Sequence, residues 1–194
     1  SMLVFTIIFG GMVKMSSDGA PYALFNFVAL VPWTYFQSAL GEAVQTLTNE
    51  RNMISKIYFP RLILPVSRVL ARLLDFAIAL VLLAVLLAWY GQVPNVGILM
   101  LPVLCLILVF TAAGVGLGLS ALAVQYRDIN YGMSFMLQLL MYAAPVVYPA
   151  SLVPETLRIW YGLNPLVGVI EGFRSALLGT VPMPWDLIAP GGIV

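Results

Sequence analysis

Long apolar segments separated by short polar connections recur along this chain, and they leave few folds open to it. Four such segments cover residues 22–47, 64–90, 96–124 and 131–148. About 20 apolar residues in an α-helix are needed to cross the hydrocarbon core of a bilayer, so these segments predict membrane-spanning helices. Because a helix satisfies its own backbone hydrogen bonds in lipid, we expect an all-α polytopic membrane protein.

The composition supports this class and excludes several functions. Hydrophobic residues make up 62% of the chain and charged residues 9%, with a mean hydropathy of +1.01; a soluble domain carries about 25% charged residues. The chain has no histidine and one cysteine, which excludes a Ser-His-Asp triad, a Cys-His pair, a histidine zinc site and an internal disulfide. The net charge of +1 gives no electrostatic basis for binding nucleic acid. We expect no metal and no cofactor in this chain.

Both ends of the chain carry apolar runs that are too short to span a membrane. Residues 2–13 are expected to be the end of a first span, and residues 187–194 the beginning of a last one. We therefore expect residues 1–194 to be a single transmembrane domain, truncated at both ends, from a helical bundle of about six spans.

Basic residues predict the side of the membrane that each connection faces, because they concentrate in cytoplasmic loops. One set of loops and helix ends carries six of them: Arg51, Lys56, Arg61, Arg68, Arg72 and Arg127. The other set carries three: Lys14, Arg158 and Arg174. The connection at residues 49–60 is therefore expected to be cytoplasmic.

This cytoplasmic connection predicts a short amphipathic helix, capped by Asn49 and ended by Pro60. Its apolar residues are Met53, Ile54, Ile57, Tyr58 and Phe59, and its polar residues include Glu50, Arg51 and Lys56. A helix of this kind outside the bilayer either lies on the lipid surface or docks into a groove on a cytosolic protein.

Three motifs follow one another along the chain. They are residues 52–65 (NMISKIYFPRLILP), residues 126–129 (YRDI), and a group formed by residues 153–155 (VPE), 163–166 (LNPL) and 171–174 (EGFR). Together they resemble the permease subunits of ABC-2 type exporters, in the branch that exports lipid-linked polysaccharides such as O-antigen, capsular polysaccharide and teichoic acid. The resemblance covers almost the whole chain.

The resemblance implies that two permeases and two copies of a separate ATPase subunit form the working unit, with the 49–60 helix coupling to the ATPase. The chain has no phosphate-binding glycine-rich loop with its lysine, and Gly114-x-x-x-Gly118 lies in an apolar span, where it predicts close helix packing. ATP and magnesium are thus expected on the partner ATPase. The other implied partners are a second copy of the chain, a lipid-linked glycan and the lipids of a bacterial or archaeal cytoplasmic (inner) membrane.

Charged residues recur on one face of the predicted third span. Arg68, Arg72 and Asp75 are spaced i, i+4 and i+7 near its cytoplasmic end. Charges at this depth are costly in lipid and face protein or water. They form either a cytoplasmic entrance that meets the phosphate of a lipid-linked substrate, or a local Arg72–Asp75 ion pair with Arg68 extending to the headgroups.

Aromatic and amide side chains at helical spacing suggest a substrate path. The candidates are Trp33, Gln37, Phe135, Gln138 and Tyr142. Aromatic rings offer flat apolar faces to sugar rings, and amides exchange hydrogen bonds with hydroxyls. The alternative is that aromatic residues near span ends are interfacial anchors, although a mid-depth amide needs a polar neighbour.

Residues 149–179 predict two short helices on the outer side. Pro154 and Glu155 suit the start of the first; Asn164 caps the second, Pro165 follows the cap, and Gly179 ends the helix. The spacing places Leu166, Ile170, Phe173 and Leu177 on an apolar stripe and Glu171, Arg174 and Ser175 on a polar side. The resemblance implies an outer gate, and the alternative is a structural lid.

Three other functions compete with a polysaccharide exporter. An ABC-2 exporter of drugs or small lipids would share most of these motifs. An intramembrane acyl- or glycosyltransferase lacks a histidine base here, and Glu42 and Asp75, the acids inside predicted spans, lie on different helices. A passive channel would leave the predicted docking helix without a role.

Overall fold

The computed structural model describes residues 22–49, 62–92, 96–126, 128–148, 150, 161–179 and 182–188. These residues form the helices α1 (Tyr22–Asn49), α2 (Ile63–Trp89), α3 (Leu101–Gln125), α4 (Asp128–Ala143) and α5 (Pro165–Leu178). A 3-10 turn, Val96–Met100, leads into α3, and a short helical turn covers residues 185–188. The described part of the chain contains no strand, and the all-α prediction is confirmed.

The predicted spans correspond closely to the helices. Ile63–Trp89 and Gly97–Gln125 are both long and apolar enough to cross a membrane. α1 covers Tyr22–Asn49 and so includes the predicted span at residues 22–47. Asn49 is its last described residue, and the rest of the predicted 49–60 helix lies outside the described residues. α4 ends at Ala143, before Pro145, and is shorter than the predicted 131–148 span because proline cannot continue the helix.

α1 is the central helix of the bundle. It packs against α2, α3, α4 and α5. Its first half is buried on most of its circumference, and Phe25, Trp33 and Phe36 are among the largest fully buried side chains. The other helices are therefore positioned by the shape of α1.

α2 and α3 each bury a narrow stripe and expose the rest of their surface. α2 buries Val69, Phe76 and Leu83 toward the core while Leu74 and Ile78 remain exposed. Such a continuous uncovered apolar surface is unfavourable in water and suits contact with lipid tails. This surface supports the prediction of a membrane protein.

Close contact between α1 and α3 occurs at a glycine, though at a different one from those predicted. A Cβ atom on Gly116 would lie 3.1 Å from the Ala43 Cβ of α1. Gly114 and Gly118 lie on the exposed face, with no described atom within 4 Å of the position a Cβ would take. The predicted Gly114-x-x-x-Gly118 packing is wrong within the described bundle, because Gly116 is the residue that faces α1.

α5 lies against the backbone of the chain's last described turn. A Cβ on Gly168 would be 2.7 Å from the Leu187 carbonyl oxygen, and a Cβ on Gly172 would be 2.9 Å from the Leu104 side chain. Leu104 is near the start of α3, so α5 is located at the end of the bundle opposite the 50–61 connection. We call this the outer end, and the end near Asn49 the inner end.

Candidate functional site

A polar stripe follows the inner half of α1. Thr34, Gln37, Ser38 and Gln45 are exposed, whereas most neighbouring residues of this helix are buried. Their spacing places them on one side of the helix. Hydroxyls and amides at membrane depth require water or polar partners. The stripe therefore indicates a surface that is reached by water or by a polar substrate.

The stripe forms one wall of an open groove between α1, α2 and α4, which we call the α1–α4 groove. The groove has a volume of about 480 Å³ and is lined by Gln37, Ser38, Gly41, Glu42, Gln45, Arg72, Ser134 and Leu137. A second open cavity of about 460 Å³ shares Gln45 and extends to the inner end, where Thr48, Asn49, Asn130 and Tyr131 line it. Most of these side chains offer hydrogen bonds without carrying a charge.

An ion-pair cluster joins α1 to α2 beside the groove. Arg72 Nη1 donates to Asp75 Oδ2 on its own helix, and Nη2 donates to Glu42 Oε1 on α1. The predicted Arg72–Asp75 pair is present. Glu42 lies on α1, so the spacing of residues along α2 could not predict it as the second partner of Arg72. We call the link between α1 and α2 the Glu42–Arg72 clasp.

The clasp limits what Arg72 can do for a substrate. Both of its terminal nitrogens are engaged by carboxylates, so the guanidinium can contact a phosphate only after leaving one of them. Arg68 is exposed one helical turn earlier. The predicted contact between these charges and a substrate phosphate remains a prediction.

α4 presents the predicted aromatic and amide residues at an exposed face. Phe135 is 64% exposed and Tyr142 is 56% exposed, and Gln138 lies exposed between them. Only Met133 and Leu137 are buried among the residues of this helix. The placement is compatible with a substrate path, and the role of these three residues stays a prediction.

Trp33 does not share this placement. Its side chain is 1% exposed and packs against Phe36, with ring centroids 6.2 Å apart. It lies on the face of α1 that is enclosed by the other helices, whereas Gln37 lies on the stripe that faces the groove. Trp33 is therefore a core residue in this structure, and a role for it in the substrate path stays a prediction that this placement does not favour.

The boundaries predicted for the second outer helix are confirmed in α5. Asn164 Oδ1 accepts a hydrogen bond from the Leu166 N–H at 3.1 Å, and Pro165 occupies the first helical position. Gly179 ends the helix in the left-handed region with φ of 65°. Each signal acts within a few residues of the helix end, which explains why the sequence predicts these boundaries well.

The predicted polar side of α5 is wrong. Glu171 is 8% exposed, Arg174 is 3% exposed, and Ser175 is also buried. The helix is enclosed on all sides, so no exposed face remains for polar residues. Glu171 and Arg174 are tolerated there because they pair with each other at 2.7 Å, Arg174 Nη1 to Glu171 Oε1.

The buried pair also holds the turn that follows α4. Arg174 Nη1 donates to the Tyr148 carbonyl at 3.1 Å, and Nη2 donates to the Val146 carbonyl at 3.0 Å. Glu171 Oε1 accepts from the Ala150 N–H at 3.1 Å. We call α5 together with residues 144–148 and Ala150 the outer lid. Within it, the pair acts as a structural anchor; a role for Glu171 and Arg174 in an outer gate stays a prediction.

Tyrosine hydroxyls link Tyr148 of the outer lid to α4 and to the residues that precede α5. Tyr148 Oη donates to the Tyr142 carbonyl at 3.1 Å and lies 2.9 Å from Tyr161 Oη. Because the Tyr148 proton is used, Tyr161 is the donor between the two hydroxyls. Burial, and secondarily this hydrogen bond, raises the pKa of the Tyr161 phenol, so the phenol keeps its proton at cellular pH.

Several predicted site residues lie outside the described residues. They are the coupling residues Glu50, Arg51, Met53, Ile54, Lys56, Ile57, Tyr58 and Phe59, and the outer residues Pro154 and Glu155. Their roles stay predictions.

Comparison with known proteins assigns the chain to a family. The family profile described as ABC-2 type transporter matches residues 1–178. An O-antigen export system permease protein of Myxococcus xanthus is 33% identical over 90% of this chain and 67% of the relative. A protein of the same name from Klebsiella pneumoniae is 27% identical over 81% of this chain and 61% of the relative.

A further relative is the polysialic acid transport protein of Escherichia coli, which is 23% identical over 91% of this chain and 69% of the relative. The chain thus spans about two thirds of the length of the curated relatives it matches. On the family match and the similarity to the Myxococcus protein, the chain belongs to the ABC-2 type transporter family and is a membrane protein.

Proposed function

We propose that the whole protein is the permease subunit of an ATP-driven exporter that moves a lipid-linked polysaccharide across a bacterial or archaeal cytoplasmic membrane. The α1–α4 groove carries the proposal, because it is an open surface of amides and hydroxyls within an apolar bundle. A glycan offers hydroxyls along its whole length, and many weak, similar contacts allow it to slide without being trapped. The names of the relatives, O-antigen export permease and polysialic acid transport protein, agree with this substrate class.

The exposed face of α4 supports the same substrate class. Phe135 and Tyr142 present aromatic rings, and Gln138 presents an amide between them. Rings of this kind can pack against the C–H face of a sugar, while the amide exchanges hydrogen bonds with its hydroxyls. A polymer moving past α4 would meet both kinds of contact repeatedly.

An exporter of drugs or small lipids is the competing proposal. Sites for small apolar molecules are usually enclosed and lined mainly by apolar and aromatic side chains. The α1–α4 groove is open, and its lining includes the amides of Gln37 and Gln45 and the hydroxyls of Ser38 and Ser134. This lining favours a hydroxyl-rich substrate.

The aromatic face can be tested with a matched pair of variants. Phe135→Ala in the full-length protein, expressed with its ATPase in cells that lack the native permease, should lower the amount of glycan at the cell surface. Loss of one ring contact predicts a decrease of about twofold to tenfold. Phe110→Ala is the control, because Phe110 is 71% exposed but lies on α3 and not on the aromatic face of α4. Equal export by both variants at equal membrane abundance would contradict the proposed path.

The proposal includes an ATPase partner in two copies and a second copy of the permease. The predicted helix at residues 49–60 supplies the docking surface, with Ile57 and Tyr58 on its apolar face. Ile57→Asp combined with Tyr58→Asp should abolish co-purification of the ATPase while the permease remains in the membrane. Ser55→Asp, on the opposite face of that helix, should leave co-purification intact. Retention of the ATPase by the double variant would place docking elsewhere.

A further inference from the structure

The hydrogen bonds, ion pair and cation–π contact that α1 makes with other elements lead to different partners on the two sides of Pro32. On the inner side, Tyr35 Oη donates to the Val69 carbonyl of α2 at 3.2 Å. About two turns further along α1, Glu42 accepts a hydrogen bond from Arg72, which also lies on α2. The polar links of the inner half of α1 described here thus lead to α2.

On the outer side, the links lead to the outer lid. Tyr22 Oη donates to the Val147 carbonyl at 3.1 Å. The guanidinium carbon of Arg174 lies 3.7 Å from the centroid of the Phe25 ring, a close cation–π contact. The first turns of α1 are therefore fixed to the turn at residues 144–148 and to α5.

Pro32 separates these two sets of links and weakens the helix between them. Proline has no N–H, so the Val28 carbonyl loses the donor it would receive from residue 32. Two residues later, Thr34 Oγ1 donates to the Val31 carbonyl at 3.0 Å, which is a local side-chain bond rather than a ladder bond. Bends in long helices concentrate at such positions.

We propose that α1 is divided at Pro32 into an inner half that moves with α2 and an outer half that stays with the outer lid. The inner half of α1 together with α2 is the inner unit, and Arg72 is its positioning residue. The inference rests on the proposed function, because the movement it describes widens the α1–α4 groove for a substrate. The outer lid keeps its anchors while the inner unit moves.

The connectivity of the chain supports a joint movement of α2 and the inner half of α1. Residues 50–61 join the end of α1 to the start of α2, so a force on this connection reaches both helices. The Glu42–Arg72 clasp and the Tyr35–Val69 hydrogen bond both join α1 to α2, so the two helices are expected to respond to that force together. The opposite wall of the groove, α4, buries only Met133 and Leu137 among its residues, so the groove opens most easily between α1 and α4.

One contact between α2 and the outer lid must tolerate this movement. The rings of Phe76 on α2 and Phe173 on α5 lie 6.4 Å apart and are tilted by 55°. An apolar ring contact has no hydrogen bond to break and can slide. It is therefore compatible with movement of the inner unit relative to the outer lid.

Two cross-links distinguish a joint movement of α1 and α2 from a movement of one of these helices against the other. The first pair, Glu42→Cys with Arg72→Cys, is made in a full-length Cys105→Ala protein with its ATPase. A short bis-methanethiosulfonate forms a disulfide with each cysteine, so it replaces the clasp by a covalent link that a reductant can break. Export should stay within about twofold of the unbridged variant. The comparison pair, Gln45→Cys with Asn130→Cys, lies across the inner cavity between α1 and α4. Its bridge should reduce export by about tenfold or more, reversibly on reduction. Equal inhibition by both bridges, or by neither, would overturn the inference.

A second measurement needs no glycan. In the Cys105→Ala protein with its ATPase, Ser134→Cys in the groove would be labelled by a water-soluble maleimide with and without ATP. ATP should change the labelling rate about threefold or more when the clasp is intact. Glu42→Gln should remove most of that change, whereas Asp75→Asn, which breaks only the pair within α2, should keep it. The same ATP response in Glu42→Gln as in the unmodified protein would refute the role of Arg72.

The joint at Pro32 has its own variant. Pro32→Ala restores a backbone donor and stiffens α1, so the ATP-driven change at Ser134→Cys should fall by about half or more. An unchanged response would mean that α1 is not divided there. If the unmodified complex shows the ATP response but exports no glycan, the proposed function fails and the division of α1 stands.

Discussion

Replacing Arg174 with methionine would leave the Glu171 carboxylate buried without its cation. The guanidinium binds Glu171 at 2.7 Å and two carbonyls, those of Tyr148 and Val146, at 3.1 and 3.0 Å. It also covers the Phe25 ring. Methionine fills a similar volume but offers none of these hydrogen bonds, so the variant isolates the polar contribution.

The expected cost follows from the burial of this pair. Removal of one partner from a buried ion pair costs about 3–5 kcal/mol, and the lost bonds to carbonyls overlap with that cost because all involve one side chain. We expect Arg174→Met to lower the free energy of unfolding by about 4 kcal/mol. Adding Glu171→Gln removes the stranded charge and keeps an acceptor for the Ala150 N–H, so the double variant should recover about 2 kcal/mol.

The measurement is the unfolding of the full-length protein in mixed micelles with increasing SDS. Tryptophan fluorescence and circular dichroism follow the unfolding. Arg68→Met is the control, because Arg68 is exposed on α2 and an exposed pair contributes only about 0–1 kcal/mol. If Arg174→Met and Arg68→Met shift the unfolding midpoint equally, the outer lid does not depend on a buried pair. If the double variant is less stable than Arg174→Met, stranded charge is not the cause of the loss.

Three further substitutions and one control test other parts of the fold by the same unfolding measurement. Gly168→Val should lower the free energy of unfolding by about 1–3 kcal/mol, because its Cβ would press on the Leu187 carbonyl oxygen. Gly114→Val is the control: it has open space around it and should lower the free energy of unfolding by less than about 1 kcal/mol. Equal losses would contradict the close packing of α5. Asn164→Ala removes the cap of α5 and should cost about 1 kcal/mol; no loss would mean that the cap is dispensable. Asn26→Leu should not destabilise the protein and should gain up to about 1 kcal/mol, since neither polar atom of this buried amide has a hydrogen-bond partner among the described residues; a clear loss of stability would show that the amide is bonded.

The features that the sequence predicts correctly are those set by local chemistry. Asn164, Pro165 and Gly179 define the ends of α5 through bonds and dihedral angles within a few residues of each end. The long helices follow from apolar length, which the surrounding lipid requires. Pro145 predicts that α4 ends nearby, although the helix stops sooner than the apolar pattern does.

The features that the sequence misplaces are set by neighbours distant in the chain. A helical wheel assigns Arg174 to a polar side, but the carbonyls of residues 146 and 148 make a buried position favourable. Trp33 and Gln37 are one turn apart, and only the packing of the other helices decides that one is core and the other is exposed to the groove. Glu42 and Arg72 lie 30 residues apart on two helices, so no pattern along either helix identifies them as partners.

The length of α4 has a consequence for the membrane around it. Its 16 residues extend about 24 Å at 1.5 Å per residue, which is about 6 Å less than the hydrocarbon thickness of a typical bilayer. The bilayer beside α4 must therefore become thinner, or headgroups and water must reach toward Ala143. Either change brings the solvated layer to the exposed aromatic face of α4. The export rate in bilayers of increasing acyl-chain length should then decline as the hydrocarbon layer becomes thicker than α4 can match.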